Sequence, residues 1–221
     1  MGERIVVINP NSTEAVTAGI SAALERLRMA GGPEIECLTL TEGPPGVETQ
    51  AHVESVVEPL CRLIRGRDNE AQAFVIACFS DPGLHLARET TTRPVFGIAE
   101  CGMLAALTQG ERFGVISILE GSIPRHLRYV RSLGLWSRFA GDLAIGLGVV
   151  ELEGEGATLE RMTEVGGRLR DDHGAEVVIM GCAGMASLKE PLQAALGIPV
   201  VEPCQAAVTM ALGAARLGGG G

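Results

Sequence analysis

The sequence predicts an α/β protein with two similar parallel-sheet subdomains, related by a pseudo-twofold axis and with the active site in the cleft between them. Short apolar runs alternate with longer segments of helical spacing, which is typical of parallel sheets. The chain also repeats itself, because the apolar runs before Cys78 and Cys182 superpose without a gap. A Pro-Val pair that begins a strand follows each cysteine, at Pro94 and at Pro199. A duplication of this length implies two units of the same fold.

The first half of the chain is predicted to hold four strands and four helices. Apolar runs place the strands at residues 4–9, 34–40, 73–77 and 94–98. Helical spacing places helices at 14–29, 49–65 and 100–109, with a short one after Cys78 and a kink at Pro59. The segment Thr41–Val47 contains two prolines and two glycines. It is predicted to be a loop that is long enough to reach over a site.

The second half repeats this order of strands and helices. Its strands are predicted at residues 112–117, 143–150, 176–180 and 198–201. Its helices are predicted at residues 122–133, 157–172, 186–196 and 203–216. No Pro- or Ser-rich linker separates the halves, so we expect the two units to pack closely.

Composition and charge argue against several classes of partner. The chain has 221 residues, is 46% hydrophobic and has a formal net charge of −9. Nucleic acids and anionic membranes attract clustered Lys and Arg, which this sequence lacks. There is no apolar stretch of membrane-spanning length, and the start is too short for a signal peptide. We therefore expect a cytoplasmic protein with reduced cysteines, and we expect no metal site because the four histidines are scattered.

Cys78 and Cys182 are the candidate catalytic residues. Each follows a buried strand, where α/β folds place their chemistry. Two like groups on opposite faces of one carbon suit racemisation, since one removes a proton and the other returns one. A thiol of ordinary pKa, about 8.5, serves as thiolate base or thiol acid near neutral pH. Such a reaction requires no cofactor when the substrate's own carbonyl holds the charge.

Small and polar residues near the two thiols are the candidate substrate contacts. Small residues let backbone N–H groups approach a ligand, and polar residues past the strand ends lie on the same rim. The predicted contacts are Asn9, Asn11, Ser12, Ser80, Ser117, Ala183 and Gly184. Asn9 and Asn11 also fit plain turn and capping roles.

Four motifs resemble the hydantoin and allantoin racemase branch of the aspartate/glutamate racemase superfamily. They are Asn9-Pro-Asn-Ser-Thr13, Ala77-Cys-Phe-Ser-Asp-Pro-Gly-Leu84, Gly97-Ile-Ala-Glu100 and Gly181-Cys-Ala-Gly-Met185. The resemblance implies a cofactor-independent, two-base racemase of 5-substituted hydantoins, and we expect a homo-oligomer. It also implies that the last helix crosses back, so that residues 1–98 plus 204–221 form one subdomain and residues 99–203 the other.

Several alternatives stay open on the sequence alone. The fold also suits racemases of aspartate, glutamate or allantoin, and a small-molecule binding protein that lost its chemistry. The other four cysteines are expected to be packing residues. His85 and His126 either lie near the site or, as the sequence favours, on a helix surface. Glu100 and Glu202 either influence the thiols or occupy the first turn of a helix, where acids are favoured.

Overall fold

The computed structural model describes residues 4–152 and 155–218, which form two four-stranded parallel sheets. The strands of the first sheet are β1 (Arg4–Asn9), β2 (Glu34–Thr39), β3 (Ala71–Ile76) and β4 (Val95–Gly97). Those of the second sheet are β5 (Phe113–Ser117), β6 (Phe139–Ala144), β7 (Val177–Met180) and β8 (Val200–Val201). The predicted α/β class and parallel pairing are confirmed.

Helices connect the strands throughout the described part of the chain. In the first half they are α1 (Glu14–Ala23), α2 (Gln50–Ser55), α3 (Val57–Arg67), α4 (Leu84–Thr90) and α5 (Ile98–Ala106). In the second half they are α6 (Ile123–Ser132), α7 (Glu155–Asp171), α8 (Lys189–Leu196) and α9 (Pro203–Gly218). Within the described ranges, no helix is both long and apolar enough to cross a membrane.

The two sheets have the same strand order. It is β2-β1-β3-β4 in the first sheet and β6-β5-β7-β8 in the second. Strands β3 and β7, which lead to the two cysteines, are interior strands of their sheets and carry buried apolar side chains on both faces. The sequence duplication is therefore a duplication of fold.

Helices cover both faces of each sheet. In the first sheet, Ile5, Val7 and Val75 pack against Val208 and Ala211 of α9. On its other face, a second apolar cluster joins β1 and β3 to α3. Helix α5, which follows β4, contributes Met103 to a core with Phe113 and Val177 of the second sheet. Helices α5 and α9 also contact each other, so the two halves exchange helices.

The predicted elements differ from the observed ones at several places. Helix α1 ends at Ala23, and a 3-10 turn follows at Glu25–Leu27. The predicted helix 49–65 breaks at Val56, because Pro59 has no N–H and suits the first turn of a new helix. The strand predicted at 143–150 was wrong, since β6 ends at Ala144 and Val149–Glu151 forms a 3-10 turn.

Candidate active site

Cys78 and Cys182 occupy equivalent turns in the two halves. Each cysteine lies two residues beyond its strand, β3 or β7. In each turn the backbone N–H of the residue three positions later donates to the cysteine carbonyl oxygen. The N···O distance is 2.9 Å from Asp81 to Cys78 and 3.2 Å from Met185 to Cys182. A Cβ at Gly181 would lie 2.6 Å from the carbonyl oxygen of Ile116, so only glycine fits before Cys182. The same turn thus presents a thiol twice.

The turn also donates a hydrogen bond to each sulfur. The backbone N–H of Ser80 donates to the Cys78 thiol, and that of Gly184 donates to the Cys182 thiol. All six cysteines are free, so the two thiols are available for proton transfer. An N–H aimed at sulfur stabilises a thiolate more than a thiol.

Burial outweighs these donors and raises the pKa of both thiols. The pKa of Cys78 rises to about 12 and that of Cys182 to about 11, because desolvation penalises the thiolate. The charge of Cys182 further raises the pKa of Cys78, while Arg125 lowers it. The ordinary thiol pKa expected from the sequence is therefore wrong for both residues, and both are protonated at neutral pH.

Both thiols line a single cavity of about 30 Å³ between the two halves. Its walls also include Asn11, Ser80, Ala183 and Gly184 of the predicted contacts. The remaining walls are Pro10, Val16, Val47, Ala77, Phe79, Ile118, Ser122, His126, Val149 and Gly181. This volume holds about two water molecules, so the walls must move apart to admit a five-membered ring.

The loop predicted to reach over a site does so. Val47 lines the cavity, and Glu48 Oε1 accepts a hydrogen bond of 2.8 Å from the Val149 N–H in the other half. Thr13 Oγ1 donates to the Pro45 carbonyl at 2.8 Å, which ties the loop to the start of α1. The loop therefore closes the cavity by bridging the two halves.

Three of the predicted contacts do not line this cavity. Asn9 is buried and its Nδ2 donates to Asn11 Oδ1 at 2.9 Å and to Thr17 Oγ1 at 3.0 Å. Ser12 is half-buried and its N–H donates to the Pro44 carbonyl. Ser117 is buried at the end of β5. Asn9 and Ser12 support the neighbouring turn and loop.

Asn11 lines the cavity, and its amide has a fixed orientation. Its Oδ1 accepts hydrogen bonds from Asn9 Nδ2 and, at 3.0 Å, from the Thr13 N–H, which fixes the orientation of the amide. No described residue accepts a hydrogen bond from Asn11 Nδ2, so this N–H₂ group is available to a ligand. It suits a carbonyl oxygen.

The comparison that decides the family covers most of the chain. Residues 5–211 match the family model described as Asp/Glu/Hydantoin racemase. The chain belongs to this family. As a member of a racemase family it is an isomerase, and such enzymes act on small molecules.

The similar proteins with named activities include hydantoin and allantoin racemases. The chain is 35% identical to the hydantoin racemase of Paenarthrobacter aurescens over 97% of its own length and 92% of that protein. It is 38% identical to the hydantoin racemase of Rhizobium meliloti, covering 94% and 86%. The allantoin racemase structure from Klebsiella pneumoniae superposes with a TM-score of 0.92 at 34% identity, covering 97% and 88%.

His126 lies in the cavity wall of this racemase, where the sequence favoured a surface position. Only 3% of it is exposed and it lines the cavity. Its Nδ1 lies 2.8 Å from Asp142 Oδ2 and 3.1 Å from Ser117 Oγ. Asp142 lies on β6, far from His126 in sequence, so no local pattern indicates the pair.

The remaining acids and cysteines have structural roles. Glu202 accepts hydrogen bonds from the N–H groups of Cys204 and Gln205, which caps α9. Glu100 forms an ion pair with Arg88. Cys101 and Cys204 are buried in the core of the first sheet, as expected.

Proposed function

We propose that the protein is a cofactor-independent racemase of 5-substituted hydantoins, with Cys78 and Cys182 as the two bases. The observation that carries this proposal is the equivalent placement of two free thiols in one cavity between the halves. A thiolate on one face of the ring removes the proton at the chiral carbon. The thiol on the other face returns a proton, which inverts the centre and exchanges the roles of the two sulfurs.

The sulfur atoms must lie on opposite faces of the bound ring. We expect a sulfur-to-sulfur distance of about 7–9 Å in the complex, which leaves the carbon within reach of both groups. A crystal structure with an unreactive ring analogue measures this distance. Sulfurs on the same side of the ring would contradict the mechanism.

The proposed substrate contacts stabilise the negative charge that forms on the ring carbonyl. Asn11 lines the cavity and its Nδ2 is a free donor, and the small residues Ala183 and Gly184 allow the ring to approach the backbone. Ser80 provides a further hydroxyl. Asn9 and Ser117, which lie outside the cavity wall, are proposed to hold Asn11 and His126 in place.

Two alternative substrates remain within this mechanism. Allantoin is itself a hydantoin with a ureido substituent, and the likeness to the allantoin racemase structure supports it as a second candidate. Free aspartate or glutamate would require cations for two carboxylates, and the lining of this cavity contains no Lys or Arg. This favours a neutral ring over a free acidic amino acid.

The test is incubation of single enantiomers with the purified protein. We expect loss of optical rotation for 5-substituted hydantoins and none for free aspartate or glutamate. Cys78→Ala and Cys182→Ala should each leave the optical rotation unchanged. Cys37→Ala should still racemise the substrate, because the Cys37 thiol is half-buried and lies outside the cavity. A protein that binds hydantoins but leaves their rotation unchanged would be a binding protein.

We further propose that the enzyme needs no metal, and that it is a cytoplasmic homo-oligomer. Among residues 4–152 and 155–218 no group of three or more His, Cys, Asp or Glu side chains is placed to hold a metal ion. Dialysis against a chelator should leave the racemisation rate unchanged. A rate that falls and is restored by added zinc or magnesium would contradict this.

A further inference from the structure

The His126 ring is fixed on several sides within the wall of the cavity. Its Nδ1 contacts Asp142 Oδ2 at 2.8 Å and Ser117 Oγ at 3.1 Å. The side chains of His126 and Asp142 are 4% and 0% exposed. The Phe79 ring packs edge-on against the imidazole, with 5.2 Å between ring centroids. This degree of support is typical of a side chain whose orientation matters to a ligand.

The hydrogen bond to Asp142 determines what the other ring nitrogen offers. A carboxylate accepts hydrogen bonds, so Nδ1 carries a hydrogen, and Nε2 of an imidazole in its neutral form is then an acceptor. The fully buried, unpartnered polar side-chain atoms of the described residues are Arg93 Nε, Arg125 Nε, Asp142 Oδ1 and Thr158 Oγ1. His126 Nε2 is not among them although no described group bonds it, so it reaches accessible space. His126 lines both the cavity with the two thiols and a neighbouring pocket between α2 and α6.

The geometry excludes a serine nucleophile at this place. In a Ser-His-Asp triad the serine and the carboxylate bond opposite nitrogens of the imidazole. Here Ser117 and Asp142 both contact Nδ1. Ser117 therefore stabilises the ring, and Nε2 has no hydrogen bond to a described group.

We infer that His126 is a specificity-determining residue, whose Nε2 accepts a hydrogen bond from a ring N–H of a cyclic ureide, and that Asp142 is its positioning residue. The inference rests on the proposed function. Asn11 Nδ2 then offers a donor to the ring, and His126 Nε2 offers an acceptor. A hydantoin ring alternates carbonyl oxygens with N–H groups and matches both, whereas the carboxylate of a free amino acid places an acceptor against an acceptor.

Substrates that lack the ring N–H should be racemised with a lower kcat/KM. A site that hydrogen-bonds an N–H discriminates strongly against an analogue without it, because the buried acceptor is left unpaired. We expect N-methylation at one of the two ring nitrogens to lower kcat/KM by about tenfold or more in the parent enzyme. Because the bond is present in both ground and transition states, the loss should fall mainly on KM.

The experiment compares one 5-substituted hydantoin with its 1-methyl and 3-methyl derivatives, in the parent and in His126→Phe. Each rate is divided by the uncatalysed rate in buffer, which corrects for changes in carbon acidity. We call the N–H preference the ratio of kcat/KM for the unmethylated hydantoin to that for its methylated derivative. In His126→Phe this ratio should fall to within about threefold. His126→Phe/Asp142→Asn avoids an unpaired buried carboxylate if the single variant unfolds. His85→Phe, an exposed histidine of α4, should keep the parent preference.

Asp142→Asn separates positioning from a purely structural role. Loss of the carboxylate frees the ring to take the other tautomer, so the N–H preference should fall even when the variant is folded. An unchanged preference in folded His126→Phe, or no preference in an active parent, overturns the inference and leaves the proposed function standing. A parent that racemises no hydantoin overturns the proposed function itself.

Discussion

The sulfur atoms of Cys78 and Cys182 each experience two opposing influences. Burial in the cavity raises the thiol pKa, and the N–H group two residues later lowers it. Burial is the larger effect, because apolar groups from both halves, such as Val47, Phe79 and Val149, surround the sulfurs. Both sulfurs are therefore thiols, and the reacting thiolate is a minor species at neutral pH.

These pKa values predict the pH dependence of the reaction. The racemisation rate should rise with pH because the reaction needs one thiolate. The thiolate population increases about tenfold per pH unit below a pKa of about 11. We expect log kcat/KM to rise with a slope of about one between about pH 6 and pH 8. The measurement is the initial racemisation rate at low substrate, with the hydroxide-catalysed rate subtracted. A profile that is already flat at pH 8 would indicate thiols whose pKa lies below the ordinary value of about 8.5.

The sequence predicts where the thiols lie better than it predicts what surrounds them. Matched apolar strands were sufficient to place Cys78 and Cys182, because a buried parallel strand has a strong local pattern. A surface position was favoured for His126 because its helix reads as polar and its partner Asp142 belongs to another strand. The raised pKa values depend on the closed cavity, which forms only when both halves pack together.

At the scale of elements, the predictions hold for strands with continuous apolar runs. Strand β6 has no such run, since its sequence Phe139–Ala144 includes a glycine and the buried Asp142. The more apolar Val149 lies beyond it, and its N–H bonds Glu48 of the covering loop. Hydrophobicity therefore pointed to the wrong segment, because here an apolar residue closes the cavity and does not extend the sheet.

The turn after Cys78 is coupled to the start of α5 through Asp81. Its carboxylate accepts hydrogen bonds from the Ala99 N–H at 2.9 Å, the Glu100 N–H at 2.8 Å and the Tyr129 hydroxyl at 3.0 Å. A Cβ at Gly97 would lie 2.2 Å from Asp81 Cγ. The carboxylate thus caps the helix from a distance and requires a glycine beside it.

This packing predicts a strong coupling between the two positions. Asp81→Ala should lower the free energy of unfolding by about 2–3 kcal/mol through the lost cap, and Gly97→Ala by about 2 kcal/mol or more through overlap. In the double variant the methyl group added at position 97 no longer meets the Asp81 carboxylate. The loss of unfolding free energy should therefore be smaller than the sum of the two single losses by about 1–2 kcal/mol. Urea unfolding measures all three. Gly19→Ala, where a Cβ meets nothing within 4 Å, is the control; additive costs would contradict the coupling.

At the scale of the whole molecule, two sheets of the same strand order face one cavity. We propose that residues 1–98 plus 204–221 and residues 99–203 form the two subdomains, since α9 packs on the first sheet and Met103 of α5 on the second. Residues 1–3, 153–154 and 219–221 lie outside the described part. Because the cavity holds only about two waters, substrate entry requires its walls to move apart.

If each half supplies one base, the two enantiomers are deprotonated by different halves. Cys78→Ala and Cys182→Ala should then each abolish racemisation, because one proton transfer is missing. Each variant should still exchange the substrate's α-proton for solvent deuterium with one enantiomer, through the remaining thiol acting as base and then as acid on the same face. Since the thiols come from opposite halves, the two variants should prefer opposite enantiomers.

Proton NMR in heavy water with each pure enantiomer measures this exchange, and the uncatalysed rate is subtracted. Cys37→Ala is the matched control and should exchange both enantiomers, since its thiol lies outside the cavity. If Cys78→Ala and Cys182→Ala both exchanged the same enantiomer, a single base would serve both faces of the ring. The duplication of the fold would then not extend to the chemistry, because one thiol would have to reach the carbon from either side.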